Sequence, residues 1–309
     1  MTALRNKKTL IFAKAESVYG TPVALLAADA IRTHAAKCTP FAANAIKRDL
    51  NGSAFGNSGV IHTGAHVVLE FDVEAAGSGV AGTAPEYGVL FKACQMSETI
   101  VATTSVTYAP ASNSTTSLTM YYQLDGQRHA MSGARGTFQI KLDSQGIPYF
   151  HFVFTGLWID PVSAADIVPD FTGFTTPRPV SFAYTPTVTL HGLSSVFKSF
   201  TYDHANQVEF FDNPGEETVE IMDREPSGQI SLLAPALSTK NYFTTAKADT
   251  VGGLTVVHGM TAGNIITLDA PNTQLETPNY GDDKGRATLD AKLDFQYSSA
   301  DDEMTLAFT

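Results

Sequence analysis

The chain has 309 residues and a formal net charge of −11, with 43% apolar and only 17% charged residues. That apolar share excludes a disordered chain, and the lack of clustered Lys and Arg excludes a reader that grips nucleic-acid phosphates. The length predicts about two domains. A surface this poor in charge, against roughly 25% in ordinary soluble domains, points to wide coverage by copies or partners.

The acid is uneven. Residues 1–176 hold 12 Lys+Arg and 13 Asp+Glu, whereas residues 177–309 hold 8 and 18. At the start, Arg5, Lys7 and Lys8 precede the apolar patch Thr9–Ala13, but Lys14 and Glu16 interrupt it too early for a signal-peptide core; export is not expected. No apolar run approaches the ~18 residues of a membrane helix. Cys38 and Cys94 have no metal spacing and read as small hydrophobes in a reducing compartment, so synthesis and folding in a cytoplasm are expected.

A turn-rich stretch from Asp49 to Gly64 carries Phe55, Val60 and Ile61. His62 and His66 are four apart, but Gly64 between them argues for a loop rather than a metal-binding helix face, and solvated or strand histidines are the expectation. The next strand, Val67–Glu74, alternates: Val67, Leu69, Phe71 and Val73 face one way, and Glu70, Asp72 and Glu74 the other. Gly77–Gly82 fits G-x-G-x-x-G, but no βαβ pattern surrounds it, and a flexible exit loop is the expectation. Thr83 and Glu86 form a capping box, with Pro85 in the first turn and Tyr87, Leu90, Phe91 and Cys94 at helical spacing. Alternation returns at Phe138, Ile140, Leu142 and at Phe150, Phe152, Phe154. Asp160–Pro179, rich in Pro, Thr and Gly, predicts a linker and the division 1–165, 166–176 and 177–309.

In the second half, Ser195 and Lys198 fit S-x-x-K but lie in a strand-like run with no K-T-G after it. Asp203–Gly228 is a second turn-rich stretch, carrying Val208, Phe210, Phe211, Val219, Ile221 and Met222. Free loops have little reason to carry so many apolar residues; such arms either dock on a neighbour or fold back on their own sheet, and both readings stand. Asp212–Glu217 lacks calcium-loop spacing and reads as an acidic turn, with weak cation binding as the alternative. Ser238–Lys247 predicts a weaker helix; from Ala287 to Tyr297, Leu289 and Leu293 oppose Asp290, Lys292 and Asp294; Met304, Leu306 and Phe308 close the chain. No nucleophile–base–orienter set, metal set or cofactor loop emerges, so neither an enzyme nor a cofactor is expected.

The halves look alike. Arg135–Asp143 lines up with Arg286–Asp294 at an offset of 151, and Val67–Leu69 resembles Ile230–Leu232 at 163. A mainly β (α+β) fold follows, two tandem sandwiches or partial barrels, each with a flanking helix.

Lys14–Pro22, with Tyr121–Trp158 and its Gly133-Ala134-Arg135-Gly136-Thr137 strand start, resembles the tail tube (major tail) proteins of long, flexible-tailed bacteriophages. The resemblance implies a structural virion protein whose rings stack into a tube around a tape-measure protein. It implies three two-domain chains per ring with pseudo-sixfold symmetry, terminator and tip proteins at the ends, and DNA passing without specific binding. Glu70, Asp72 and Glu74 are then first candidates for the lumen, with Asp290 and Asp294 second, although each also reads as a merely solvated strand residue. The competing class is a non-enzymatic β-sandwich adhesion or glycan-binding module.

Overall fold

The computed structural model describes residues 3–53 and 55–309; residues 1 and 2, in the N-terminal segment, and 54, in the first arm, lie outside the described residues. The first half runs β1 (Thr9–Ala15), β2 (Ala30–Ile31), β3 (His34–Lys47) and β4 (Val60–Glu74) to helix α1 (Gly88–Ala93). It continues through β5 (Met96–Val101), β6 (Ser105–Pro110), β7 (Leu118–Leu124), β8 (Gln127–Asp143) and β9 (Tyr149–Ser163). The second half begins with β10 (Thr187–Leu190), β11 (Leu193–Ser194), β12 (Phe197–Asp203), β13 (Asn206–Asn213), β14 (Glu216–Arg224) and β15 (Ser227–Leu233). Helix α2 (Tyr242–Lys247) follows, then β16 (Gly252–His258), β17 (Ile266–Leu275), β18 (Asn279–Asp283), β19 (Arg286–Phe295) and β20 (Thr305–Phe308).

The mainly β class is the one found. Antiparallel pairing orders eight strands as β3–β4–β9–β8–β12–β15–β19–β18. A second series runs β5–β6–β20–β17–β16–β10–β11. Both series cross from one half to the other, through β8 with β12 and through β6 with β20. The apolar alternation has one physical outlet: side chains from the two series share a single core. Phe91 of α1 is its hub, lying 5.0 Å from Tyr108, 5.1 Å from Phe138, 5.2 Å from Phe150 and 6.4 Å from Phe308 between ring centroids.

Two local expectations are corrected. Helix α1 starts at Gly88, after Tyr87, with no side-chain cap. The Thr83 N–H instead donates to the Val80 carbonyl at 3.2 Å, and the Glu86 side chain lies against Gly173. His62 and His66 are strand histidines within β4, where Gly64 takes φ +66° and the ladder to β3 shifts register near it. The matched segments Arg135–Asp143 and Arg286–Asp294 do not hold equivalent places: β9 is the strand beside β4, whereas β19 is the strand beside β15. By pairing, β18–β19 is the counterpart of β8–β9. Helix α2 forms where the weaker pattern predicted, capped by Asn241, whose side chain accepts from Thr244 N at 3.0 Å.

The Gly77–Gly82 stretch is packed rather than loose. A Cβ on Gly77 would sit 2.0 Å from the Gly263 carbonyl oxygen, and Gly79 N donates to that oxygen at 3.0 Å. These glycines let backbone from both halves touch.

Candidate assembly surfaces

The five candidate acids share one surface. In the eight-stranded series Glu70, Asp72 and Glu74 point away from the core, which holds Leu69, Phe71 and Val73. Across the ladder Asp72 stands opposite His151, His151 opposite Gln139, and Gln139 opposite Asp203. Asp203 then faces Ser227, and Ser227 faces Asp294. A second row joins Asp143, Ser199, Ser231 and Asp290. One polar face therefore runs the full width of the sheet.

The acids are not bare. Lys37 binds Glu70, His151 Nδ1 lies 2.6 Å from Asp72 and His34 Nε2 3.8 Å from it. Ser231 Oγ donates to Asp290 at 2.5 Å, and Gln296 donates to Asp294 at 3.1 Å. Lys141 and Lys292 share a further row with Glu74, so the face is mixed with a modest acidic excess. Much of the second half's acid lies elsewhere, in Glu209, Asp212, Glu216, Glu217, Glu220, Asp223 and Glu225 of the second arm.

That arm is the hairpin β13–β14, separate from the main ladder and laid across β8, β9 and β4 of the first half. Val219 is fully buried there. Its N–H donates to the Tyr19 hydroxyl at 2.6 Å, and its carbonyl accepts from Arg135 Nη1 at 2.8 Å, with the guanidinium 4.8 Å above the Tyr19 ring. Phe210 stacks on His66 at 4.7 Å, and Thr63 donates to Asp212 at 2.9 Å. Phe211 and Ile221 are half-buried and Met222 is exposed. The first arm, the distal part of β3–β4 with its tip, differs: Phe55, Val60 and Ile61 are exposed, as are Phe41, Ile46 and Leu50.

Glu16 anchors the segment behind Tyr19. Its carboxylate accepts from Gly20 N at 2.9 Å, Ser117 Oγ at 2.7 Å, Thr119 Oγ1 at 2.9 Å and Gly133 N at 2.9 Å. The roles of Tyr19, Arg135 and Glu16 escaped the sequence reading. Their only signal was membership of the segments that carry the resemblance.

The eight-strand series ends in β3 on one side and β18 on the other, each paired along one edge only. On β18, Tyr280 stands opposite core residue Leu289 yet is 59% exposed, resting on Phe243 of α2 at 5.0 Å. At the junction inside the chain the counterpart positions are closed: Ile140 and Leu142 meet Tyr202 and Phe200, all buried.

Among the described residues no cluster of three or more His, Cys, Asp or Glu side chains is placed to hold a metal ion. Burial pushes the Cys38 thiol up to about 12 and Cys94 well above its usual value, which makes both poor nucleophiles.

A family model described as phage tail tube protein matches residues 6–297, and the chain belongs to that family. Its role is that of a structural component of the virion tail, self-assembling into a tube. No curated protein matches the chain.

Proposed function

From that membership we propose that three copies of this chain close into a pseudo-sixfold ring, and that rings stack into a tube around a tape-measure protein. Terminator and tip proteins cap its ends, DNA passes through without specific binding, and the protein has no catalytic role. The carrying observation is the β8–β12 junction. It joins the last strand of one four-strand set to the first strand of the next, leaving β18 and β3 as the matching open ends. Pairing β18 of one chain with β3 of another repeats the junction and covers Tyr280. Heterologous contacts of this kind close rings when the rotation permits.

Three chains of eight strands, at ~4.8 Å spacing and about 40° tilt, give a barrel roughly 50 Å across between backbones. That leaves room for a duplex inside the side-chain layer. The polar face is its lining, bringing Glu70, Asp72, Glu74, Asp290 and Asp294 to the bore. A lining with a small acidic excess and paired cations repels phosphate weakly and offers no continuous basic track, which suits a sliding polymer. The arms, with Phe55, Val60, Ile61, Phe210, Phe211, Val219, Ile221 and Met222, make contacts between domains and between copies. The chain is made and assembled in the host cytoplasm.

Electron microscopy of the concentrated protein tests this. Rings or tubes with an open bore are expected from the wild type, and Tyr280→Lys, which places a charge on the open edge, should stay monomeric with its β signal intact. Normal assembly of Y280K would overturn the edge pairing.

A further inference from the structure

At the base of the second arm lies an open cavity of about 430 Å³, lined among others by Met222, Asp223, Arg224, Tyr297, Asp301 and Glu303. Arg224 forms its floor, donating to Glu303 at 2.8 Å and Asp301 at 3.1 Å. One cation thus faces three carboxylates. Asp301 is already held by Ser112, whose backbone N–H donates to it at 3.1 Å. Glu303 is only 5% exposed, and its Oε2 has no hydrogen-bond partner, so a buried acceptor waits beside the cavity. The rim is apolar and open: Met222 is 57% exposed and Tyr297 71%. Such a site fits a cationic side chain carried on an apolar segment.

The chain itself carries such a segment. The first arm presents Lys47 and Arg48, both exposed and without an ion pair among the described residues, flanked by exposed Ile46 and Leu50. Internal geometry supplies the path. The second arm crosses β8 and β9 and ends on β4 at Thr63 and His66, the base of the first arm. With Val67–Leu69 matched to Ile230–Leu232, that base corresponds to residues 226–229, next in sequence to Arg224. A first arm laid in the same way over another copy's second half ends at this cavity.

We propose that the cavity is the socket for the first arm of a second copy, with Lys47 and Arg48 meeting Asp223 and Asp301 at its mouth, above the buried carboxylate of Glu303. The proposal rests on the ring reading above and adds the lock that holds neighbours together. Two variants, Arg48→Cys and Asp223→Cys, each made with Cys38→Ser so that the fully buried Cys94 is the one native thiol left, are mixed, assembled and oxidised. A covalent dimer of the two variants is expected, formed in the assembled fraction. The reversal K47E/R48E should raise the concentration needed for assembly about tenfold or more, and adding D223K should recover much of that loss. Rings or tubes that form normally from K47E/R48E, or assembled cysteine variants that give no mixed dimer on oxidation, overturn the socket and leave the ring reading standing. A wild-type chain that stays monomeric at every concentration overturns both.

Discussion

Glu16 shows what one half-buried carboxylate can organise. Four donors from three segments converge on it, so its substitution strands several polar groups at once. Arg135 acts on the same region from the other side, tying Val219 and Thr115 to the Tyr19 ring. Replacing Arg135 by Lys keeps the charge but loses the fork and the stacking. We expect R135K to cost about 1–3 kcal/mol, read as a lower denaturant midpoint. His204 sets a pH dependence. Burial, aided by the Arg224 charge, lowers its pKa to about 3, while the unfolded chain keeps about 6.5. The folded state holds His204 neutral, so its contribution is fully present above pH 6.5 and is lost as pH falls towards 3, by about 1.4 kcal/mol per unit within that window. His204→Phe retains a ring to stack on Phe138. The variant should lose less stability than wild type between pH 7 and pH 5; equal losses would remove His204 as the cause.

At the scale of elements, the arms show how the same strand chemistry reaches different ends. The second arm is pinned through Val219, and an ionised side chain there would have to be buried without a partner. Val219→Asp should release the hairpin while the main ladder persists. Limited proteolysis would then cut near Asn213–Glu217 much faster than in wild type, with the far-UV spectrum unchanged. The glycines around 77–82 and 263 are a second element-level device. Gly77→Ala drives a methyl into the Gly263 carbonyl and should cost about 1–3 kcal/mol, measured by thermal melting. The G-x-G spacing was visible in the sequence, but its partner, 186 positions away at Gly263, was not. The capping box at Thr83 failed for a related reason: the Val80 carbonyl takes the Thr83 N–H, and the Glu86 side chain lies against Gly173.

At the scale of the molecule, both strand series and the core pass between the halves. The halves should therefore unfold together, as one calorimetric transition with a van't Hoff enthalpy close to the measured one. Two well-separated transitions would show that the seam between β8 and β12 adds little. A local alternation such as Val67–Glu74 fixes which residues are dry, because side chains in a strand alternate by geometry. The sequence by itself therefore determined the mainly β class, the sites of both helices and the polar character of Glu70, Asp72, Glu74, Asp290 and Asp294. Strand order, the union of those acids on one face, the docking of the second arm and the open edges at β3 and β18 were decided only by tertiary structure. Each depends on which distant backbone completes a ladder or covers a side chain, and period-two alternation is the same whichever partner does so.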